Sequence, residues 1–271
     1  MANLIYALPT DNLSPVATGG GVDWAVNTGT VDSEYPAANL GDLNPAKPAK
    51  LTTTTGSWVR DLGSAQQVDW LFVPMHNLTA ALSGVKIQGN ATDSWGAPSI
   101  DQALVVPAYM EDGFPYGFWF DLTGIGTRTF RYWRFLVGTA NGAAVAIGEV
   151  WLVATKRSLV HNIYWGLDEG DEHGVVEHRT PYGVVSLFDL ATKTRSIDGE
   201  TSTSDVGLAA LKTWHRACAG RAKPTAIVLD PAINDAMMVR WANVQLKFRR
   251  RFPNFNDVKL NFEEMSRGLV L

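Results

Sequence analysis

From Ser57 onward, apolar residues recur in short runs or alternate with polar ones. Trp58-Val59-Arg60-Asp61-Leu62-Gly63 reads as one strand and its turn, and Val68-Asp69-Trp70-Leu71-Phe72-Val73 as the next. Val85, Ile87 and Gly89 alternate with Lys86 and Gln88, as expected of a strand with one buried face. Phe118, Phe120 and Leu122 alternate in the same way. Tyr132 to Val137 and Ile147 to Val153 close the series. Strands at this spacing, with Gly and Pro between them, predict an antiparallel sandwich. Residues 1–50 read as loop: Pro9, Pro15, Gly19-Gly20-Gly21, Pro36, Pro45 and Pro48 interrupt any regular element.

After Thr155-Lys156-Arg157-Ser158 the pattern changes. Ile163-Tyr164-Trp165 and Val175-Val176-Glu177 flank an acidic turn at 168–172, and Val184 to Phe188 is a further strand. One helix is predicted. Ser202 or Ser204 caps it and Asp205 sits in its first turn, where exposed amides favour an anion. Leu208, Leu211, His215 and Cys218 share one face, Gly220 ends the helix, and Pro224 prevents its resumption. Thr225 to Leu229 reads as a short strand. Met237 to Arg250 reads as one long strand with a bulge near Asn243, and Val258, Leu260 and Phe262 mark the last. The reading is a mainly β chain with two domains, a sandwich over 1–155 and a second unit over 156–271.

Charge supports that division. Residues 1–155 carry 7 basic and 13 acidic side chains, whereas residues 156–271 carry 16 and 14. The whole chain has a net charge of −4, which gives no bulk field for sequence-specific or backbone contact with nucleic acid. Charged residues are only 18% and Trp numbers 10, a composition that suits β-sandwiches better than helical bundles. Cys218 is the single cysteine, so no internal disulfide forms and the expectation is assembly in a reducing cytoplasm. Met1 to Leu8 lacks a basic n-region, and no apolar run reaches membrane-spanning length, so neither a secretion signal nor a membrane partner is expected.

The chemistry is sparse. There is no Gly-x-Ser-x-Gly elbow, no phosphate-binding Gly-rich loop after a strand and no His-Glu-x-x-His, so the expectation is a non-enzyme without cofactor. Gly19-Gly20-Gly21 reads as a flexible loop. The five histidines do not stand at zinc spacing, and no metal site is assigned. Asp168, Glu169, Asp171 and Glu172 admit three readings: a hard-cation site, a charged loop that protects an edge, or a contact with a basic neighbouring subunit. Arg249-Arg250-Arg251 closes a strand, so Arg250 points away from the other two. We take these arginines and the four acids as candidate subunit-interface residues. Trp58, Trp70, Trp133 and Trp151 lie in strands and read as core. Trp24, Trp95 and Trp119 lie near loops and are the candidate ligand-binding aromatics, able to stack on a sugar or anchor a partner.

Two resemblances organise these elements. Ala38-Asn39-Leu40, the Trp58–Gly63 and Val68–Val73 segments, Val85 to Asn90 with the Asp93-x-Trp95 turn, Arg131-Tyr132-Trp133-Arg134-Phe135 and Ile147-Gly148-Glu149-Val150 form an ordered set. It resembles the discoidin-like (F5/8 type C, galactose-binding-like) β-sandwich over roughly residues 35–153. That family often binds glycans or lipids through its loops. Its usual terminal disulfide is absent here, which argues against an extracellular eukaryotic role. In the last 70 residues, Leu208 to Trp214, Gly220 to Pro224, Leu229-Asp230-Pro231 and Val258 to Glu264 resemble the end of a tailed-phage distal tail or tail-tip (baseplate) protein. That resemblance implies a tail-tube-like β-sandwich flanked by one helix. It also implies a ring of identical copies in contact with tail-tube and tail-tip proteins, located in the virion and assembled in the host bacterial cytoplasm. The expected function is a structural virion protein carrying a peripheral sugar-binding-like sandwich. The rival reading is a glycan-binding adhesin with a host surface glycan as partner, and a hydrolase with an unrecognised site comes third.

Overall fold

The structure is a computed structural model. It describes residues 3–45, 47–107, 117–159, 164–179, 185–229, 236–243 and 245–265, with backbone alone for 164–195 and 252. In chain order the elements are β1 (Ile5–Ala7), a four-residue helix α1 (Val16–Gly19), β2 (Val22–Thr28), β3 (Ala49–Lys50), β4 (Gly56–Gln67), β5 (Trp70–Val73), β6 (Val85–Asn90), β7 (Ile100–Ala103), β8 (Phe118–Asp121), β9 (Thr129–Val137), β10 (Ala146–Ile147), β11 (Trp151–Val153) and β12 (Arg157–Ser158). There follow β13 (Tyr164–Arg179), β14 (Val185–Ser204), α2 (Asp205–Ala217), β15 (Thr225–Val228), β16 (Ala236–Trp241), β17 (Phe248–Phe252) and β18 (Phe255–Glu264). The chain is mainly β, as the periodicity predicts.

The alternating strands build the expected sandwich. One sheet runs β2-β4-β9-β6-β7 and the other β11-β5-β8, all antiparallel. Trp58, Val85, Ile87, Trp133 and Phe135 point inward from the first sheet, and Leu71, Val73, Phe118 and Leu152 meet them from the second. The intervening positions of β6 and β9, among them Lys86, Gln88 and Arg134, form the outer face of the five-stranded sheet.

Strand β5 does not alternate, because the three-stranded sheet is covered on both faces. Trp70 and Phe72, with Trp151 and Val153 of β11, pack on Ile5, Ala7, Ala226, Val228, Ala236 and Met238. Those residues belong to β1, β15 and β16 of a larger sheet ordered β12-β1-β15-β16-β18-β14-β13, with β17 also paired to β18. A strand buried on both sides reads as a continuous apolar run. On the far side of the larger sheet, α2 covers Tyr6, Ile197, Trp241, Val258, Leu260 and Phe262. Ser204 Oγ accepts from the Gly207 amide at 3.3 Å, so Ser204 is the cap, and Leu208, Leu211 and Trp214 are the buried stripe.

Three sequence expectations change. Residues 1–50 are not mere loop: β1 joins the larger sheet between β12 and β15, and β2 forms an edge of the five-stranded sheet. Each is a short segment completed by pairing with an existing edge, a gain that local composition does not report. The acidic segment 168–172 is not a turn. It lies inside the 16-residue strand β13, paired in unbroken register with Thr194–Asp198 of β14 between two register shifts. The predicted long strand 237–250 is two strands, β16 and β17, pairing with successive parts of β18 and interrupted at 242–247. Val184, Asp230, Pro231 and His161 lie outside the described residues.

Two buried polar groups anchor the loops of the first half. Arg60, in the middle of β4, is wholly buried. Its Nε donates to Ser14 O at 2.7 Å, and Nη2 to Gly20 O at 2.7 Å and Leu13 O at 3.3 Å. Nη1 donates to the carbonyls of Val22 and Asp61. All five guanidinium N–H groups thus meet backbone oxygens. Gly19-Gly20-Gly21 is consequently pinned, not flexible. Gly20 and Gly21 sit at φ 70° and 71°, and a Cβ on Gly21 would come within 2.1 Å of Asp61 O. Glu149, between β10 and β11, is also wholly buried. Its Oε1 accepts from the Asn44 amide at 2.8 Å, and its carboxyl faces that of Asp42. Burial, then the Asp42 charge and the shared hydrogen bond, push Glu149 well above the ordinary carboxyl range, so it is protonated where surface acids are ionised.

Each group yields a prediction. Arg60→Leu strands up to five carbonyls and should cost about 3 kcal/mol or more in urea unfolding; an unchanged midpoint refutes the clamp. Glu149 has its folded pKa raised, so the stability it confers is complete below the unfolded value near 4.5 and is lost as pH rises toward the folded one. Glu149→Gln should therefore remove part of the fall in Tm above about pH 4.5. Parallel Tm-against-pH curves for the two proteins would refute it.

Candidate functional site

The outer face of the five-stranded sheet carries a polar network centred on one indole. The register sets Gln88 of β6 opposite Arg134 of β9 and opposite Asp101 of β7. Arg134 Nε donates to Gln88 Oε1 at 2.6 Å, and Gln88 Nε2 to Asp101 Oδ1 at 2.7 Å. Lys86 Nζ binds the other Asp101 oxygen at 2.8 Å. Arg134 Nη1 also reaches Asn27 Oδ1 of β2 at 3.3 Å. The chain thus spans four strands and holds the guanidinium in one orientation.

That guanidinium lies 4.6 Å from the centre of the Trp95 ring. Trp95 is on the loop between β6 and β7, and this loop is built to hold it. Asn90 Nδ2 donates to Ser94 O at 2.6 Å, Ser99 Oγ donates to Asn90 Oδ1 at 3.1 Å, and Trp95 Nε1 donates to Asp93 Oδ1 at 2.7 Å. Trp95 is half-buried and Asp93, Ser94 and Ser99 are exposed. The Lys86 hydrogen bond, joined by that from Gln88 and opposed by burial, holds the Asp101 carboxyl below its ordinary range, so it stays ionised and keeps Gln88 oriented. Burial lowers Arg134, against the opposing charges of Asp101 and Asp93. The arrangement offers an aromatic surface, guanidinium N–H donors that are unused among the described residues, and a rim of amides and hydroxyls. These are the groups that hold a hydroxylated ring: apolar faces stack on an aromatic and hydroxyls pair with planar donors and acceptors.

Trp24 and Trp119 do not join this site. Trp24 is 3% exposed within the sandwich core. Trp119 lies edge-on to Trp70 at 5.8 Å and packs against the cluster between the two large sheets. Both are consumed by packing. Arg134, Gln88, Asp101 and Asn27, which join Trp95 in this network, are not among the candidate site residues of the sequence reading, because strand register alone brings them together.

The arginine run separates as the strand alternation predicts. Arg249 lines a cleft on the outer face of the larger sheet, Arg250 lies 4.0 Å from Asp205 at the start of α2, and Arg251 lies 3.6 Å from Asp257. Asp168, Glu169, Asp171 and Glu172 occupy successive register positions of β13, which pairs with β14. Among the described residues no group of three or more His, Cys, Asp or Glu side chains is placed to hold a metal ion. His76 is buried, its Nδ1 accepting the Leu78 amide at 3.1 Å, and burial pushes the Cys218 thiol up to about 12, which leaves it no nucleophilic character at neutral pH.

No family model matches the sequence, and no curated protein matches it either. Solved structures similar to the chain include the fucose binding module SpX-3 of Streptococcus pneumoniae, with 13% identity over 53% of this chain and 98% of that one and a TM-score of 0.38. The lectin domain of lectinolysin, solved with Lewis B antigen, gives 14% identity over 54% and 98% with a TM-score of 0.40. Chitosan-binding module 1 of a chitosanase/glucanase from Paenibacillus sp. IK-5 gives 18% over 53% and 98% with a TM-score of 0.38. The tail-tip resemblance of the last 70 residues has no counterpart among these three.

Proposed function

We propose that the chain is a non-enzymatic carbohydrate-binding protein whose sugar site is the Trp95 network. The observation that carries the reading is the Arg134–Trp95 stack, fixed from below by Gln88, Asp101 and Asn27 and left open to solvent on its rim. A half-buried indole held by its own hydrogen bond loses little freedom on binding, so its apolar face is available to a sugar ring at small entropic cost. The ligand class is a neutral or weakly polar glycan on a host surface.

A second reading concerns how that sandwich is presented, and a separate observation favours it. Strand β13 is 16 residues long and ends the larger sheet, so among the described residues its outer edge has no partner. An edge of that length is a template for pairing with another chain. Exposed Phe248 and Phe255 lie on the same half of the molecule. On this reading the larger sheet assembles copies into a ring within the tail of a bacteriophage virion, with Asp168, Glu169, Asp171 and Glu172 on one side of the subunit contact, and the sandwich faces the host.

Trp95→Ala should abolish binding on a glycan array while leaving the thermal midpoint within about 1 °C of wild type, as expected of a surface change. Retained binding, or no binding by the wild-type chain, overturns the sugar site. Mass photometry at high protein concentration checks assembly. A closed ring supports the tail reading, and a strict monomer that is also absent from purified particles overturns it.

A further inference from the structure

The outer face of the five-stranded sheet carries a second braced aromatic beside the Trp95 network. Tyr132 stands two positions before Arg134 on β9, so both side chains leave the sheet on the same face, about 7 Å apart along the strand. The register places Tyr132 between Asn90 of β6 and Asp61 of β4. Tyr132 is half-buried, so part of its ring reaches solvent, and among the described residues its hydroxyl forms no hydrogen bond.

This ring is held in the manner of Trp95. The Arg131 guanidinium lies 4.9 Å from the centre of the Tyr132 ring. Arg131 is itself fixed, because Nε and Nη2 donate to the two Asp61 carboxylate oxygens at 2.8 and 2.9 Å. Asp61 Oδ1 also accepts the Gly63 amide at 2.7 Å, which anchors the brace to the backbone. Asn90 joins the two aromatics. Its side chain braces the Trp95 loop through Ser94 O and Ser99 Oγ, and its direct neighbour across the ladder is Tyr132. Residues opposite each other on one face stand with Cβ atoms about 5 Å apart, so the loop that carries Trp95 starts beside Tyr132. A lone half-buried tyrosine on a sheet is ordinary surface. Two aromatics, each laid against an anchored guanidinium and linked through one asparagine, form a continuous platform with polar groups between them.

We propose that the sugar site continues from Trp95 to Tyr132 and takes an uncharged oligosaccharide of two or more rings, not a lone monosaccharide. The proposal rests on the carbohydrate reading of the Trp95 network. One ring lies on Trp95 against Arg134. The next lies at Tyr132, where the phenol hydroxyl and Arg131 Nη1, both without a hydrogen bond among the described residues, meet its hydroxyls. A single ring covers one aromatic, whereas a platform one pleat repeat further on is reached only by a longer chain. Arg131 and Lys86 already face Asp61 and Asp101, so the extension calls for no charge on the ligand.

Isothermal titration of the full chain with matched mono-, di- and tetrasaccharides of glucose, galactose, mannose and N-acetylglucosamine tests the extension. In the series that binds, the disaccharide should bind about tenfold more tightly than the monosaccharide, and that ratio should fall toward one in Tyr132→Ala. A ratio near one in the wild-type chain overturns the extension, as does a ratio that Tyr132→Ala leaves unchanged. Saturation-transfer NMR of the wild-type chain with the tetrasaccharide makes the same test without a substitution. Saturation should reach two neighbouring sugar rings. Saturation confined to one ring overturns the extension and leaves the Trp95 site standing. Absence of binding in every series, at every length, overturns the Trp95 reading and the extension together.

Discussion

The arrangement depends on one sheet being buried on both faces. Strands β11, β5 and β8 supply Leu71, Val73 and Leu152 to the sandwich core, and they supply Trp70, Phe72, Trp151 and Val153 to the contact with β1, β15 and β16. Side chains of opposite pleat therefore serve two cores at once, and neither large sheet can move without opening apolar surface on the other. β1 reinforces the join from the chain's start: it lies in the larger sheet with Thr225 Oγ1 donating to Ala7 O at 2.6 Å, and the chain then enters the sandwich. At the return, Arg157 grips Asp11 through Nε at 2.7 Å and Nη2 at 3.1 Å, beside the two-residue β12 that rejoins the same sheet. Entry and exit of the sandwich segment are thus adjacent strands.

Because the shared layer uses up these faces, only the outermost surfaces remain for recognition. On one side this is the outer face of the five-stranded sheet, and on the other the part of the larger sheet beyond β16 that the sandwich does not reach. The Trp95 network occupies the first.

Much of this was legible in the chain. Val85-x-Ile87 and the Trp133/Phe135 alternation gave strands with a defined inner face, and the Ser204 cap, the Leu208/Leu211 stripe and the stop at Gly220 located α2. The run Trp70-Leu71-Phe72-Val73 announced burial on both sides but not against what, since its second partner lies more than 150 residues away at Ala226–Val228. The acidic middle of β13 read as a turn because a polar segment bounded by Gly170 and Gly174 shows neither period, and only pairing with β14 makes it strand. Of the candidate tryptophans, loop position was a poor guide to exposure: Trp24 and Trp95 sit in similarly polar surroundings in sequence, and one is core. The site around Trp95 needed the Gln88–Arg134 register, which no local pattern carries.

The two kinds of polar network also differ in what they leave over. Arg60 uses every donor on backbone carbonyls and is sealed from water, so nothing remains with which to bind a ligand, and its whole effect is on the path of residues 13–22. Glu149 is likewise enclosed against Asp42 and Asn44. A buried polar group without its partners costs too much to be retained unless the fold needs it. Arg134 spends only part of its donor capacity, on Gln88 and Asn27, and lays its plane against an indole at the surface. The outer members of this network contribute little to stability, since water would satisfy them equally well, whereas Gln88 at its centre is buried and needs its two partners. Beyond that share in the fold, the network leaves a pre-set geometry at the surface, which is what a binding surface requires.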